Sequence, residues 1–93
     1  TVRPEAFGPV RNAIASRRKL RVRYNSLSDE ATTRVIRPLA LTCFGRIWLL
    51  TAWCELRNDF RHFRTDRIER VTVLAESFED EVGKRFEDMK RAA

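Results

Sequence analysis

Three arginines, one histidine and two phenylalanines fall within the eight residues Phe60-Arg-His-Phe-Arg-Thr-Asp-Arg67. Guanidinium forks take phosphate or carboxylate oxygens two at a time, and aromatic faces stack on bases. A run of this kind therefore has the chemistry of a contact to single-stranded nucleic acid or a nucleotide. In a strand, Arg61 and Phe63 would face one way, and His62 and Arg64 the other. One ligand cannot then meet all four. The competing reading keeps Phe60 and Phe63 in the core and leaves the arginines solvated.

Nothing comparable points to catalysis. No serine sits in a motif with histidine and acid, and three glycines are too few for a phosphate-cradling loop. His62 is the sole histidine, and with Cys43 and Cys54 it falls short of a zinc ligand set. Asp59 and Asp66 lie among Arg57, Arg61, Arg64 and Arg67, which favours ion pairing over paired-carboxylate chemistry. The chain reads as a non-enzyme with no cofactor. A metal or small-anion sensor stays open as a minor reading.

The 93 residues carry 19 Lys+Arg against 13 Asp+Glu, a net charge of +6. Residues 1–74 hold 15 basic and 7 acidic groups, net +8, while residues 75–93 hold 4 and 6, net −2. The basic character thus belongs to the body of the domain, and all but Lys19, Lys84 and Lys90 of it is arginine. Two cysteines in apolar, strand-like runs fit a reducing cytoplasm better than a disulfide scaffold. No stretch reaches the ~18 apolar residues of a membrane span. A start at Thr1 instead of Met reads as a fragment of something longer.

These side chains need elements to position them. After a lead-in over residues 1–8, Gly8-Pro9 reads as a helix start, with Val10, Ala13 and Ile14 on one face of a helix over 9–17. The period then changes to two. Leu20, Val22 and Tyr24 point inward and Lys19, Arg21 and Arg23 outward, making a strand whose arginines form a solvated face and whose Tyr24 hydroxyl marks a pocket rim. Residues 32–43 read as a second strand bent at Pro38, with Arg37 held extended before it. Residues 46–54, with Trp48 and Trp53 as core, fit a strand buried on both faces. Residues 60–64 make a fourth strand and, after a kink at 65–67, residues 70–74 a fifth. Phe78, Val82, Phe86 and Met89 are spaced for a terminal helix. Gly83 weakens it by roughly 1 kcal/mol, so it starts either at Ser77 or only after Gly83. Five short bent strands between two helices close most easily into a small barrel spanning 19–75, with 77–93 as a tail, all in one domain.

Four blocks occur in order: Leu20-Arg-Val-Arg-Tyr24, Arg34-Val-Ile-Arg-Pro-Leu39, Gly45-Arg-Ile-Trp-Leu-Leu50 and Arg61-His-Phe-Arg-Thr-Asp-Arg-Ile68. Together they resemble the WYL domain over roughly residues 9–78, the last block being the most specific. The resemblance implies a mainly β, Sm-like (SH3-like) five-stranded bent barrel with an N-terminal helix and a short C-terminal one. It also implies the sensory part of a bacterial transcription regulator, with duplex DNA read by a winged helix-turn-helix missing from this chain. The implied ligand is anionic, single-stranded DNA or a nucleotide. Matching positions are Tyr24 with Ser26 just after it, Arg37 before Pro38, and Arg61 and Arg67 bracketing the last block, with His62 and Arg64 between them. One departure stands out: Leu49 replaces the tyrosine that gives the family its name. A second reading from a different class makes the domain an oligomerisation module, a homodimer through strand edges with its arginines solvated or paired across the dimer.

Overall fold

The computed structural model describes residues 4–25 and 30–92. Helix α1 (Pro4–Ser16) leads into strand β1 (Arg18–Asn25), followed by β2 (Ala31–Phe44), β3 (Ile47–Cys54) and β4 (Asp59–Arg64). A 3-10 turn (Thr65–Arg67) joins β4 to β5 (Ile68–Ser77), and helix α2 (Phe86–Ala92) ends the chain. The five strands form one antiparallel sheet in the order β4-β3-β2-β1-β5.

That order dictates a roll. β4 and β5 are consecutive, yet they are the two edges of the sheet. A flat five-stranded sheet spans about 19 Å at ~4.8 Å per strand, and three residues of 3-10 helix cover only about 6 Å. The sheet must curl until its edges approach at that turn. The bend is prepared in β2, whose register against β3 slips between Pro38 and Ala40. Proline lacks the N–H that a ladder needs there, so the slip is where the strand can fold. The first half of β2 pairs with β1 and the second with β3; Ile36 belongs to both ladders.

Inside the roll lie Leu20, Val22, Ile36, Leu50, Ala52, Cys54, Phe63 and Ile68, with Val10 and Ala13 of α1 packed against them. The period-two pattern of β1 appears as buried Leu20, Val22 and Tyr24 alternating with exposed Arg21 and Arg23. β3 is buried on both faces from Leu50 to Cys54, because the C-terminal segment covers its outer side. Lys84 Nζ sits 5.3 Å from the Trp53 ring centre, and Trp53 meets Phe60 edge-on at 5.0 Å. Gly45, with φ 60°, opens the two-residue turn between β2 and β3, where a primed turn matches strand twist.

The bent five-stranded architecture with a helix at each end is the one expected. Closure stops short of a full ladder, however: β4 and β5 remain edges. α1 begins at Pro4, so Pro9 lies inside the helix and not at its first position. The helix stops at Arg17, whose left-handed φ of 53° ends the turn. The Arg17 carbonyl accepts the Phe78 N–H at 2.8 Å, tying the tail back. β5 runs on to Ser77, and the terminal helix starts only after Gly83, so Phe78 and Val82 are not part of it. Cys54 is buried but Cys43 is exposed, its thiol donating to the Gly45 carbonyl at 3.3 Å. Among the described residues no helix is long and apolar enough to cross a membrane.

Candidate functional site

Strand register decides which guanidinium groups share a surface. Ala52 of β3 pairs with Pro38 on one side and Arg61 on the other, while Trp53 pairs with Arg37 and Phe60. Directly opposite residues share a face. Arg61 is thus on the core side with Ala52 and Phe63, whereas Arg37, Phe60 and His62 are on the outer side with Thr51 and Trp53. Arg64, opposite Leu49, also belongs to the outer side.

The core-side group is centred on Phe63. Tyr24 meets it edge-on at 5.1 Å, and the Arg61 guanidinium lies 5.9 Å from its ring centre. The Tyr24 hydroxyl accepts the Arg64 backbone N–H at 3.1 Å, a bond between β1 and the end of β4. That hydroxyl is a structural acceptor joining the two strands. Arg67 Nε donates to the Asn25 carbonyl at 2.7 Å, fixing the 3-10 turn against the end of β1. Arg64 forks onto Asp66 through Nε at 3.1 Å and Nη2 at 2.7 Å. The hydrogen bond to Asp66 raises the Arg64 guanidinium, and the same bond lowers the Asp66 carboxyl.

Arg37 is committed elsewhere. Its Nε donates to Glu55 at 2.9 Å and its Nη1 to Glu81 at 3.1 Å, with Phe78 beneath it at 5.9 Å. Lys19 Nζ donates to the same Glu55 at 3.2 Å. Burial would push the Glu55 carboxyl up, but the hydrogen bonds from Lys19 and Arg37 outweigh it and hold the group below its ordinary value. For Arg37, burial acts downward and the bonds to Glu55 and Glu81 win, raising it.

His62 is exposed on the outer side, its Nδ1 2.9 Å from Thr51 Oγ1. Beside it an apolar hollow of about 400 Å³ opens between Leu49 of β3 and Phe86 and Met89 of α2. Leu49, standing where the family tyrosine was expected, therefore faces this hollow and not the core-side arginines.

The seven predicted residues accordingly do not form one cluster. Tyr24, Arg61 and Arg67 gather around Phe63 and the 3-10 turn. Arg37, His62 and Arg64 lie on the outer side, two of them neutralised by carboxylates. Ser26 lies outside the described residues. A further arginine was missed. Arg34 pairs with Val22, which puts it on the core side, half-buried and with no carboxylate partner among the described residues. Its phase with Ile36 along β2 was the available signal. Among the described residues no group of three or more His, Cys, Asp or Glu could hold a metal ion.

The chain is similar to known proteins over most of its length. Residues 5–73 match the family model of the WYL domain. Over 55 residues the chain is 38% identical to the uncharacterized HTH-type transcriptional regulator YobV of Bacillus subtilis (strain 168), covering 59% of this chain and 18% of that protein. Over 58 residues it is 41% identical to the DNA-binding transcriptional repressor CapW of Stenotrophomonas maltophilia, covering 61% and 19%. Among solved structures it is similar to proteasome accessory factor B/C (PafBC) of Arthrobacter aurescens. That match has a TM-score of 0.77 and 36% identity, over 86% of this chain and 13% of that one. The chain spans less than a fifth of the length of each of these relatives.

Proposed function

Because the chain belongs to the WYL domain family, we propose that it is the ligand-sensing part of a bacterial transcription regulator. In this reading an anionic ligand, single-stranded nucleic acid or a nucleotide, binds core-side arginines and the signal passes to an attached winged helix-turn-helix on duplex DNA. One observation carries it. The half-buried Arg61 guanidinium has no carboxylate partner among the described residues and rests only over Phe63. A partly desolvated charge without a counter-ion favours an anion from solution. Arg67, oriented by the Asn25 carbonyl, and Arg34 supply further positive charge on that side. Control would follow from tighter ligand binding to one of two arrangements of the regulator.

Counterion release makes such binding fall steeply with salt. Titration with short single-stranded DNA at two salt concentrations should give a clear drop at the higher one, and Arg61→Gln should weaken binding at both. Equal, negligible signal at both concentrations removes the nucleic-acid version. The sequence relatives named above are transcription regulators, and the domain is assigned no reaction of its own.

A second reading is supported by the unpaired edges of β4 and β5. Exposed edges accept another strand, and a second copy joining them would make the domain a dimerisation module. Sizing of wild type and an Arg61→Ala/Arg67→Ala variant separates the two: a dimer disturbed without any ligand effect favours this reading.

A further inference from the structure

The outward face of the β1–β5 ladder has no role in the reading above. Register lays out a small grid there. Arg23 stands directly opposite Arg70 on β5 and Thr33 on β2, and Arg21 stands opposite Thr72 and Val35. Neighbours across strands are about 5 Å apart and successive outward residues about 6.8 Å. Arg21, Arg23, Thr33, Arg70 and Thr72 are all exposed, and together they line a shallow depression of about 250 Å³. Like charges directly opposite destabilise a sheet, yet Arg23 and Arg70 are so placed. Arg23 reaches Glu69 at 3.3 Å. Arg21 and Arg70 meet no carboxylate among the described residues. Three guanidinium groups thus face one carboxylate, with two hydroxyl donors between them.

We infer that this face is a phosphate-ester site, distinct from the core-side arginines. The excess of two positive charges matches a phosphate dianion or two successive phosphodiesters. Arginine forks bind phosphate oxygens in pairs, and the threonine hydroxyls add donors. No aromatic side chain lines the depression, so it holds phosphate without stacking a base. Such a contact positions a ligand and carries no sequence preference. Local sequence–structure rules are commonly broken where function requires it, and the Arg23–Arg70 pairing is such a break. The inference does not depend on the Arg61 reading.

Amide NMR spectra of the 93-residue chain, titrated with sodium phosphate and separately with short oligothymidine, test it. Shifts of the Thr33 and Thr72 amides with either probe support the site. Inorganic phosphate alone sufficing assigns a free or nucleotide phosphate; a response only to oligothymidine assigns a strand backbone. Silence of both amides with both probes overturns it. Where oligothymidine binds, Arg21→Gln/Arg70→Gln should reduce the slope of log affinity against log salt by about 1.4, at about 0.7 per lost phosphate contact. The urea midpoint should not fall, since both side chains are exposed and Arg70→Gln relieves the repulsion from the facing Arg23. An unchanged slope in this variant, with binding lost in Arg61→Gln, overturns the site and leaves the core-side assignment standing. Loss in the double variant alone supports the site and removes Arg61 from ligand binding.

Discussion

Replacing Tyr24 by Phe deletes a single atom that fastens β1 to β4 across the roll. The ring keeps its edge-on contact with Phe63, so packing is preserved. What is lost is the acceptor for the Arg64 N–H, 40 residues away in sequence. Tyr24 is only 9% exposed, and water cannot fully replace the bond. A hydrogen bond contributes about 0.5–1.5 kcal/mol net, and leaving a partner unsatisfied costs more, which places Tyr24→Phe at about 1.5 kcal/mol. For a domain of this length that lowers Tm by roughly 6–12 °C. Urea unfolding followed by the fluorescence of Trp48 and Trp53 measures it directly, with an unchanged m-value if the unfolded ensemble is unaffected. Affinity for oligothymidine should stay as in wild type. A stability change below about 0.5 kcal/mol, the range of an uninvolved surface substitution, would refute the reasoning. So would a loss of ligand affinity at constant stability, because the hydroxyl would then serve the ligand and not the fold.

Phe63→Ala empties the centre of the core, where the side chain is 1% exposed; a loss of about 3–5 kcal/mol should leave the domain largely unfolded by circular dichroism. Glu55 is held below its ordinary value in the folded chain. Its contribution is therefore complete above the unfolded carboxylate range and disappears as pH falls through the folded value. Urea midpoints taken downward from pH 6 should decline in wild type and do so less steeply in Glu55→Gln, which itself should cost about 1 kcal/mol at pH 7 by removing the charge that Lys19 and Arg37 share, leaving them Glu76 at 3.6 Å and Glu81 at 3.1 Å. Leu49→Tyr, restoring the family residue, should change stability by less than about 1 kcal/mol. The added ring enters the outer hollow instead of overpacking the core, and thermal melts check this.

The strands were legible wherever burial alternates. Leu20, Val22 and Tyr24 gave β1 its phase, Pro38 announced the bend in β2, and the continuous apolar run gave β3. The sequence marks only residues 70–74 of β5, because beyond Ile68 its side chains are exposed or half-buried and no apolar rhythm reaches Ser77. Pro9 misled for a local reason: proline suits a first helical turn, but the chain tolerates it within α1. The site was harder to read. Whether Arg37 and Arg61 share a face depends on the pairing of Trp53 with Arg37 and of Ala52 with Arg61, registers that composition does not encode. The partners of Arg37 are Glu55 and Glu81, 18 and 44 residues away. Sequence alternation did separate His62 and Arg64 from Arg61 and Phe63, and the β3–β4 register agrees.

The connection of β5 to β1 has a bearing on assembly of the chain. β2, β3 and β4 each pair with the strand just before them in the chain, whereas β5 must find a strand some fifty residues upstream, as in Arg23 with Arg70. Long-range pairings are entropically slow, so this ladder is the natural last step in folding. The Arg21–Arg23–Arg70 surface draws one half from each end of the domain. A nascent or truncated chain lacking β5 cannot display it, and occupancy there would report that the whole sheet has been built.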